Sequence, residues 1–295
     1  MDLTKYIVKA RPGVLGGKHE EKRPLRQLSG LPVKRHVFIN RDSHPEANIY
    51  VAIHEAKDLP SPVPDYQVPH CHNTDEFYYF IGNHPDLSGL EGQILFEGKV
   101  HKINSPACVF IPTGTVHEYK VTKGAGTVTV LFRNRGYTHE DRPFDLSKGE
   151  SDFSKYAGYI FSPEVRPTTE IKYHTAAAPG VRYVFVDGKL KPEARFYTVV
   201  RSVKNVKPTQ ANYVDLHRHN CDTQHIAIGT GAELSGLKLE FQTRDEKVVV
   251  ESPVGVHIPA GTPHWYEVEG SDTFEFICVV PNHPDRMEML PPKQG

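Results

Sequence analysis

The chain repeats itself without a gap. Residues 36–50, HVFINRDSHPEANIY, lie over residues 183–197, YVFVDGKLKPEARFY; LSGL at 87–90 recurs at 234–237; and SPACVFIPTGTVHEYKV at 105–121 lies over SPVGVHIPAGTPHWYEV at 252–268. All three matches share one offset of 147 residues, which also carries His70 onto His217 and His117 onto His264. A repeat this long is not a solenoid module that needs neighbours to bury its face, because each copy can close a core of its own. The chain therefore reads as one fold used twice.

Within each copy the apolar runs are short, β-branched and aromatic. NIYVAI, FYYFI, GQILFEG, CVFIP and GTVTVLF occur in the first, and RFYTVV, IAIG, LKLEF, KVVV, VHIP and TFEFICVV in the second, with Gly, Pro, Asn and Asp between them. That rhythm predicts an all-β chain of antiparallel sandwiches or barrels. Four segments follow: an arm over residues 1–32, a first domain over 33–137, a polar linker over 138–178 and a second domain over 179–295. The arm is rich in Gly, Lys and Arg, and it reads as a strap that crosses to a partner in a homodimer, since barrel edges need cover.

The formal net charge of −1 leaves no cationic excess to neutralise a phosphate backbone or an anionic membrane. No run approaches the roughly 18 apolar residues of a membrane helix, and the N-terminus lacks a secretory pattern, so a cytoplasmic protein without nucleic-acid or membrane partners is expected. Four cysteines in 295 residues make no disulfide framework and read as free thiols.

The 17 histidines cluster. In PHCHNTDEFYYFIGN (residues 69–83), strand alternation points His70 and His72 one way and Cys71 the other. A turn at Asn73-Thr74-Asp75 reverses the chain and Glu76 opens the next strand. In IPTGTVH a Pro-Gly turn starts a further strand with His117. A small closed barrel can bring these strands together. Three imidazoles and a carboxylate suit a divalent first-row ion, with one or two positions left for substrate or oxygen. Burying the four without a cation would be costly. The second copy, LHRHNCDTQHIAIGT (residues 216–230), keeps His217, His219 and His264 but sets Thr223 opposite Glu76, with His225 as an extra group of inward parity. Tyr78 and Tyr119 share the inward parity of the first cluster and are candidates to orient substrate or carry a proton.

These residues resemble the two motifs of the cupin superfamily, G-x5-H-x-H-x3,4-E-x6-G and G-x5-P-x-G-x2-H-x3-N, twice over, as in a bicupin. His70, His72 and Glu76, with Pro112, Gly114 and His117, match in the first copy. His217 and His219, with Pro259, Gly261 and His264, match in the second. The leading glycines are replaced by Pro64, Ala211, Pro106 and Pro253, and the trailing Asn by Val121 and Val268. The resemblance implies two tandem double-stranded β-helix (jelly-roll) barrels. It implies a first metal site at His70, His72, Glu76 and His117; a second, at His217, His219 and His264 with His225 as the extra candidate, stays open because Thr223 replaces the carboxylate. Fe2+ or Mn2+ is favoured, with Ni2+, Co2+ or Zn2+ as alternatives. Catalytic roles fall to Glu76, Tyr78 and Tyr119. The expected function is a dioxygenase acting on a small hydroxylated or carboxylated compound in a largely apolar pocket. The alternatives are a non-redox isomerase or lyase on a sugar acid or hydroxy acid, and a non-catalytic small-molecule-binding bicupin.

Overall fold

The computed structural model describes residues 3–12, 32–65, 67–142, 144, 156, 158–204, 213–269, 273–280 and 289–291. They form two compact units, an N-terminal barrel of residues 11–162 and a C-terminal barrel of residues 1–10 and 163–295.

In the N-terminal barrel a seven-stranded sheet runs, in spatial order, Ile160–Phe161, Ala107–Ile111, Glu76–Gly82, Gly126–Phe132, Tyr50–Ala56, Val33–Ile39 and Arg11–Pro12. A five-stranded sheet runs His139–Asp141, His70–His72, His117–Gly124, Leu90–Phe96 and Lys99–Asn104. Neighbours within both sheets pair antiparallel. Alternate residues of the two sheets, including Tyr78, Phe80, Ile94, Phe96, Tyr119 and Val121, pack into one buried cluster. Each such side chain is worth about 1.5–3 kcal/mol relative to exposure, and this shared apolar interior holds the sheets together. The C-terminal barrel repeats the large sheet, with Val254–Ile258, Thr223–Gly229, Thr273–Val280, Tyr197–Lys204 and Val181–Val186 in succession. Its remaining strands form a three-stranded and a two-stranded sheet.

The register repeats as faithfully as the sequence does. Glu76 pairs with Ile111, and Thr223 pairs with Ile258. His117 lies opposite His70, and His264 lies opposite His217. The Pro-x-Gly turns are also alike. Gly114 has φ +78° and Gly261 has φ +79°, with nothing near either position where a Cβ would project, so the left-handed backbone alone calls for glycine. The Gly114 N–H donates to the His72 carbonyl at 2.8 Å, and the Gly261 N–H does the same for His219 at 2.8 Å. The motif's glycine thus ties the turn to the histidine strand.

The arm and the linker both contribute strands. In the arm, Ile7–Lys9 pairs with Val254–Val256 in the C-terminal barrel, and Arg11–Pro12 pairs with His36–Val37 in the N-terminal one. Both pairings satisfy backbone groups that a free arm would leave to solvent. Residues 13–31 of the arm lie outside the described residues, as do residues 145–155 of the expected linker. The linker's described residues are likewise structural. His139–Asp141 pairs with His70–His72, Tyr156 stacks on Phe96 at 5.1 Å, and Ile160–Phe161 extends the N-terminal sheet. Glu164–Val165 then opens the C-terminal one. Residues 7–12 and 160–165 therefore play one part twice, each adding first to one barrel's sheet and then to the other's.

Deleting residues 1–9 should expose the Val254–Ile258 edge. The expected outcome is a melting temperature lowered by at least about 2–4 °C for each kcal/mol lost, with a stronger tendency to aggregate. Scanning calorimetry and light scattering check it, and unchanged behaviour would count against the strand's role.

Candidate metal centre and pocket

Strand pairing alone sets the geometry of the first cluster. His70 and His72 stand on one strand, His117 faces His70 across the sheet, and Glu76 enters from the other sheet after the Asn73–Asp75 turn. Asp75 fixes that turn by accepting the Thr113 N–H and hydroxyl, both at 3.0 Å, and Arg133 at 3.3 Å. In the second barrel Asp222 repeats the contact by accepting the Ala260 N–H at 2.9 Å. The result is four buried side chains whose ligand atoms lie within 4.8 Å of one another.

Each imidazole of this cluster is locked from behind. Nδ1 of His70 donates to the Val68 carbonyl at 2.7 Å, that of His72 to Thr138 at 2.9 Å, and that of His117 to Thr115 at 2.9 Å. A neutral imidazole carrying its proton on Nδ1 presents the lone pair of Nε2. Yet the Glu76 Oε2 stands 2.8 Å from Nε2 of His117 and 3.5 Å from Nε2 of His72, and it accepts no hydrogen bond from a described donor. Lone pairs facing a carboxylate at that distance need a cation between them. The donor set of three nitrogens and one oxygen fits a divalent first-row ion. Burial, reinforced by His117, His72 and His139, holds the His70 imidazole well below its ordinary pKa, which keeps it neutral and available as a ligand.

The second cluster brings together His217, His219 and His264, again with ligand atoms within 4.8 Å. Nδ1 of His217 donates to Asp215 and that of His264 to Thr262, at 2.8 and 2.9 Å. His225 does not join them. Its ring packs between Phe241 at 5.0 Å and Tyr266 at 4.9 Å, and lies 6.0 Å from His264. It takes the place of Tyr78 in the aromatic layer rather than a ligand position. Gln224 faces away and pairs with His257 at 3.1 Å.

A pocket partly open to solvent lies over the first cluster. Besides His70, His72, Glu76 and Tyr78 it is lined by Arg35, Tyr50, His54, Gln67 and His139, with Ala52, Val130 and Phe132 as its apolar wall. Alongside this apolar wall, which accords with the expected apolar pocket, polar side chains arrive from strands remote in sequence, where no motif marks them. Arg35 hydrogen-bonds the Tyr50 hydroxyl, and Gln67 accepts the Tyr119 N–H at 2.9 Å. His139 stacks on His70 at 4.4 Å and its Nε2 meets Asp141 at 2.7 Å. Of the three candidate catalytic residues, Glu76 belongs to the cluster and the Tyr78 hydroxyl lies 3.1 Å from Nε2 of His117. Tyr119 does not line the pocket, because its ring is packed in the core and its hydroxyl bonds His54.

Two jelly-roll units in one chain, each gathering histidines at the same register, make up the bicupin fold. Solved structures bear this out. The chain is similar to an oxalate decarboxylase mutant from Bacillus subtilis, with 13% identity, 88% of this chain and 75% of that one covered, and a TM-score of 0.56. It is also similar to the Lactobacillus farciminis oxalate decarboxylase in complex with formate, at 15% identity, 85% and 82% coverage, and a TM-score of 0.53. No sequence-family model and no curated protein sequence matches the chain. No helix among the described residues is long and apolar enough to cross a membrane.

Burial holds His219 down to about 2, His264 to about 3 and His174 to about 4. On unfolding they regain a value near 6.5, so below that pH the unfolded chain binds protons that the folded chain refuses. Stability of chelator-treated protein should therefore be full above pH 6.5 and fall as the pH drops toward 4, by up to about 1.4 kcal/mol per pH unit for each group. Urea midpoints measured from pH 7.5 to 4.5 check the slope, and a flat profile would contradict it.

Proposed function

We propose that the N-terminal barrel is the active centre of a metal-dependent enzyme acting on a small hydroxylated carboxylate. The observation that carries this reading is a group of four converging ligand atoms, three of whose residues, His70, His72 and Glu76, line one pocket together with the Arg35 guanidinium. A divalent ion held by His70, His72, Glu76 and His117 would polarise a carbonyl or carboxylate oxygen, and a redox-active one would also give access to oxygen chemistry. Arg35, steadied by Tyr50, supplies a planar donor fork that matches a carboxylate. His139, held by Asp141, stands at the pocket wall to take or return a proton. Gln67 and Tyr78 add polar groups for a substrate hydroxyl, and His54 is oriented by Tyr119.

The polar lining favours non-redox chemistry, a lyase or isomerase, because acid–base groups and an anion reader stand ready beside the cluster. The oxalate decarboxylases that share the fold act on a small carboxylate, which supports the same substrate class. A dioxygenase is the second reading, favoured by the apolar wall of Ala52, Val130 and Phe132, against which oxygen would sit.

Turnover of a panel of small hydroxy acids and dicarboxylic acids, followed with and without oxygen, separates the two: undiminished anaerobic turnover selects the lyase or isomerase, and stoichiometric oxygen uptake selects the dioxygenase. Glu76→Gln should lower both metal content by elemental analysis and rate, the latter by about 100-fold or more. Arg35→Gln should raise KM by about 10- to 100-fold, from the loss of about 1.5–3 kcal/mol in charge-assisted hydrogen bonding. An inert panel with Glu76→Gln at full metal content would overturn the reading.

A further inference from the structure

The two barrels share a scaffold but not a charge. In the N-terminal barrel Arg35 and His54 lie directly opposite each other on neighbouring strands, and both line the pocket with Glu76. The 147-residue offset carries Arg35 onto Arg182, His54 onto Arg201 and Glu76 onto Thr223. The register is preserved, with Arg182 directly opposite Arg201. A guanidinium and a carboxylate in the first barrel thus become two guanidiniums and a hydroxyl in the second. The formal charge of the three positions, histidine counted neutral, moves from zero to +2.

Both arginines are buried, Arg182 at 5% exposure and Arg201 at 2%. Like charges directly opposite on a sheet destabilise it, and a guanidinium does not escape by losing its proton. Their partners satisfy N–H groups without balancing the charge. Arg182 donates to the Tyr197 hydroxyl at 2.7 Å and the Pro167 carbonyl at 3.3 Å, and among the described residues meets one carboxylate, that of the half-exposed Glu170, at 3.5 Å. Arg201 donates to the Pro179 carbonyl at 3.1 Å and the Thr168 hydroxyl at 3.4 Å, and meets no carboxylate among the described residues. The surrounding histidines offer no compensation. His174 is held neutral chiefly by burial, with Arg201 and Arg182 adding to the effect. Thr223 Oγ1, at the register position of Glu76, and His264 Nε2 are buried and make no hydrogen bond among the described residues. A divalent ion on the three histidines would add positive charge and sharpen the demand for an anion.

We propose that the C-terminal barrel binds a compact oxyanion bearing two negative charges, a dicarboxylate or a phosphate, on Arg182 and Arg201 with the Thr223 hydroxyl on the same inward face. This is a ligand site different in kind from the N-terminal pocket, and it does not depend on the reaction proposed there. Glu170, which meets Arg182 from the strap over residues 167–179, stands in for one of the missing charges, and the anion displaces it.

The test is calorimetric titration of the full chain, as purified, with malonate and separately with inorganic phosphate. One saturable site per chain is expected for at least one of the two, accompanied by a higher melting temperature. Whichever anion binds fixes the chemical class. The site should survive Arg35→Gln. It should weaken at least 10-fold in Arg201→His, which restores the residue of the first barrel, and in Thr223→Glu, which supplies a negative charge from within while leaving both arginines in place. Thr223→Glu also keeps the test informative if Arg201→His fails to fold. Saturation by neither anion would overturn the proposal, as would a site lost in Arg35→Gln but retained in Thr223→Glu.

Discussion

The hydrogen bond from a histidine Nδ1 to a main-chain carbonyl is the constraint on which the rest depends. In His70, His72, His117, His217 and His264 it fixes ring orientation and tautomer together. The carbonyls belong to the strands and turns that build the barrel, so a correctly closed sheet is also a correctly aimed ligand set. The price is a polar interior in a small barrel, and the aromatic layer of Tyr78, Phe80 and Tyr119 seals it from below.

Much of this could be read in advance because a strand has a period of two and the repeat is ungapped. Parity placed His70 and His72 together and turned Cys71 away, and the 147-residue offset gave the second cluster from the first. Parity could not exclude His225, which has the correct face but too great a depth: its ring lies in the aromatic layer, against Phe241 and Tyr266. Nor could local pattern find Arg35, His54 or His139. Arg35 and His54 reach the pocket only because Val33–Ile39 pairs with Tyr50–Ala56, and His139 because a segment that reads as a polar connector pairs with the histidine strand. Long-range pairing leaves no mark in a ten-residue window.

The comparison between the halves is more informative than either half alone. Backbone devices are kept: the αL glycines, the aspartates that hold the turns, and the cross-strand histidine pairs. What varies is what the sheet projects inward at a few positions, where Glu76, His54 and Gln67 give way to Thr223, Arg201 and Val214. A scaffold held by main-chain hydrogen bonds tolerates such exchange, since the groups that maintain its shape are not those that meet the ligand.

The pairing of Ile7–Lys9 with Val254–Val256 also sets an order of assembly. A chain made from its N-terminus can close most of the first barrel as soon as residue 162 is free, but Ile7–Lys9 has no partner until residues 254–256 have been synthesised. Loop closure over that separation makes the contact slow and late, and until then the second barrel keeps an open edge. Ile7–Lys9 is therefore a latch that closes late, and the edge it covers is open to competition until it does.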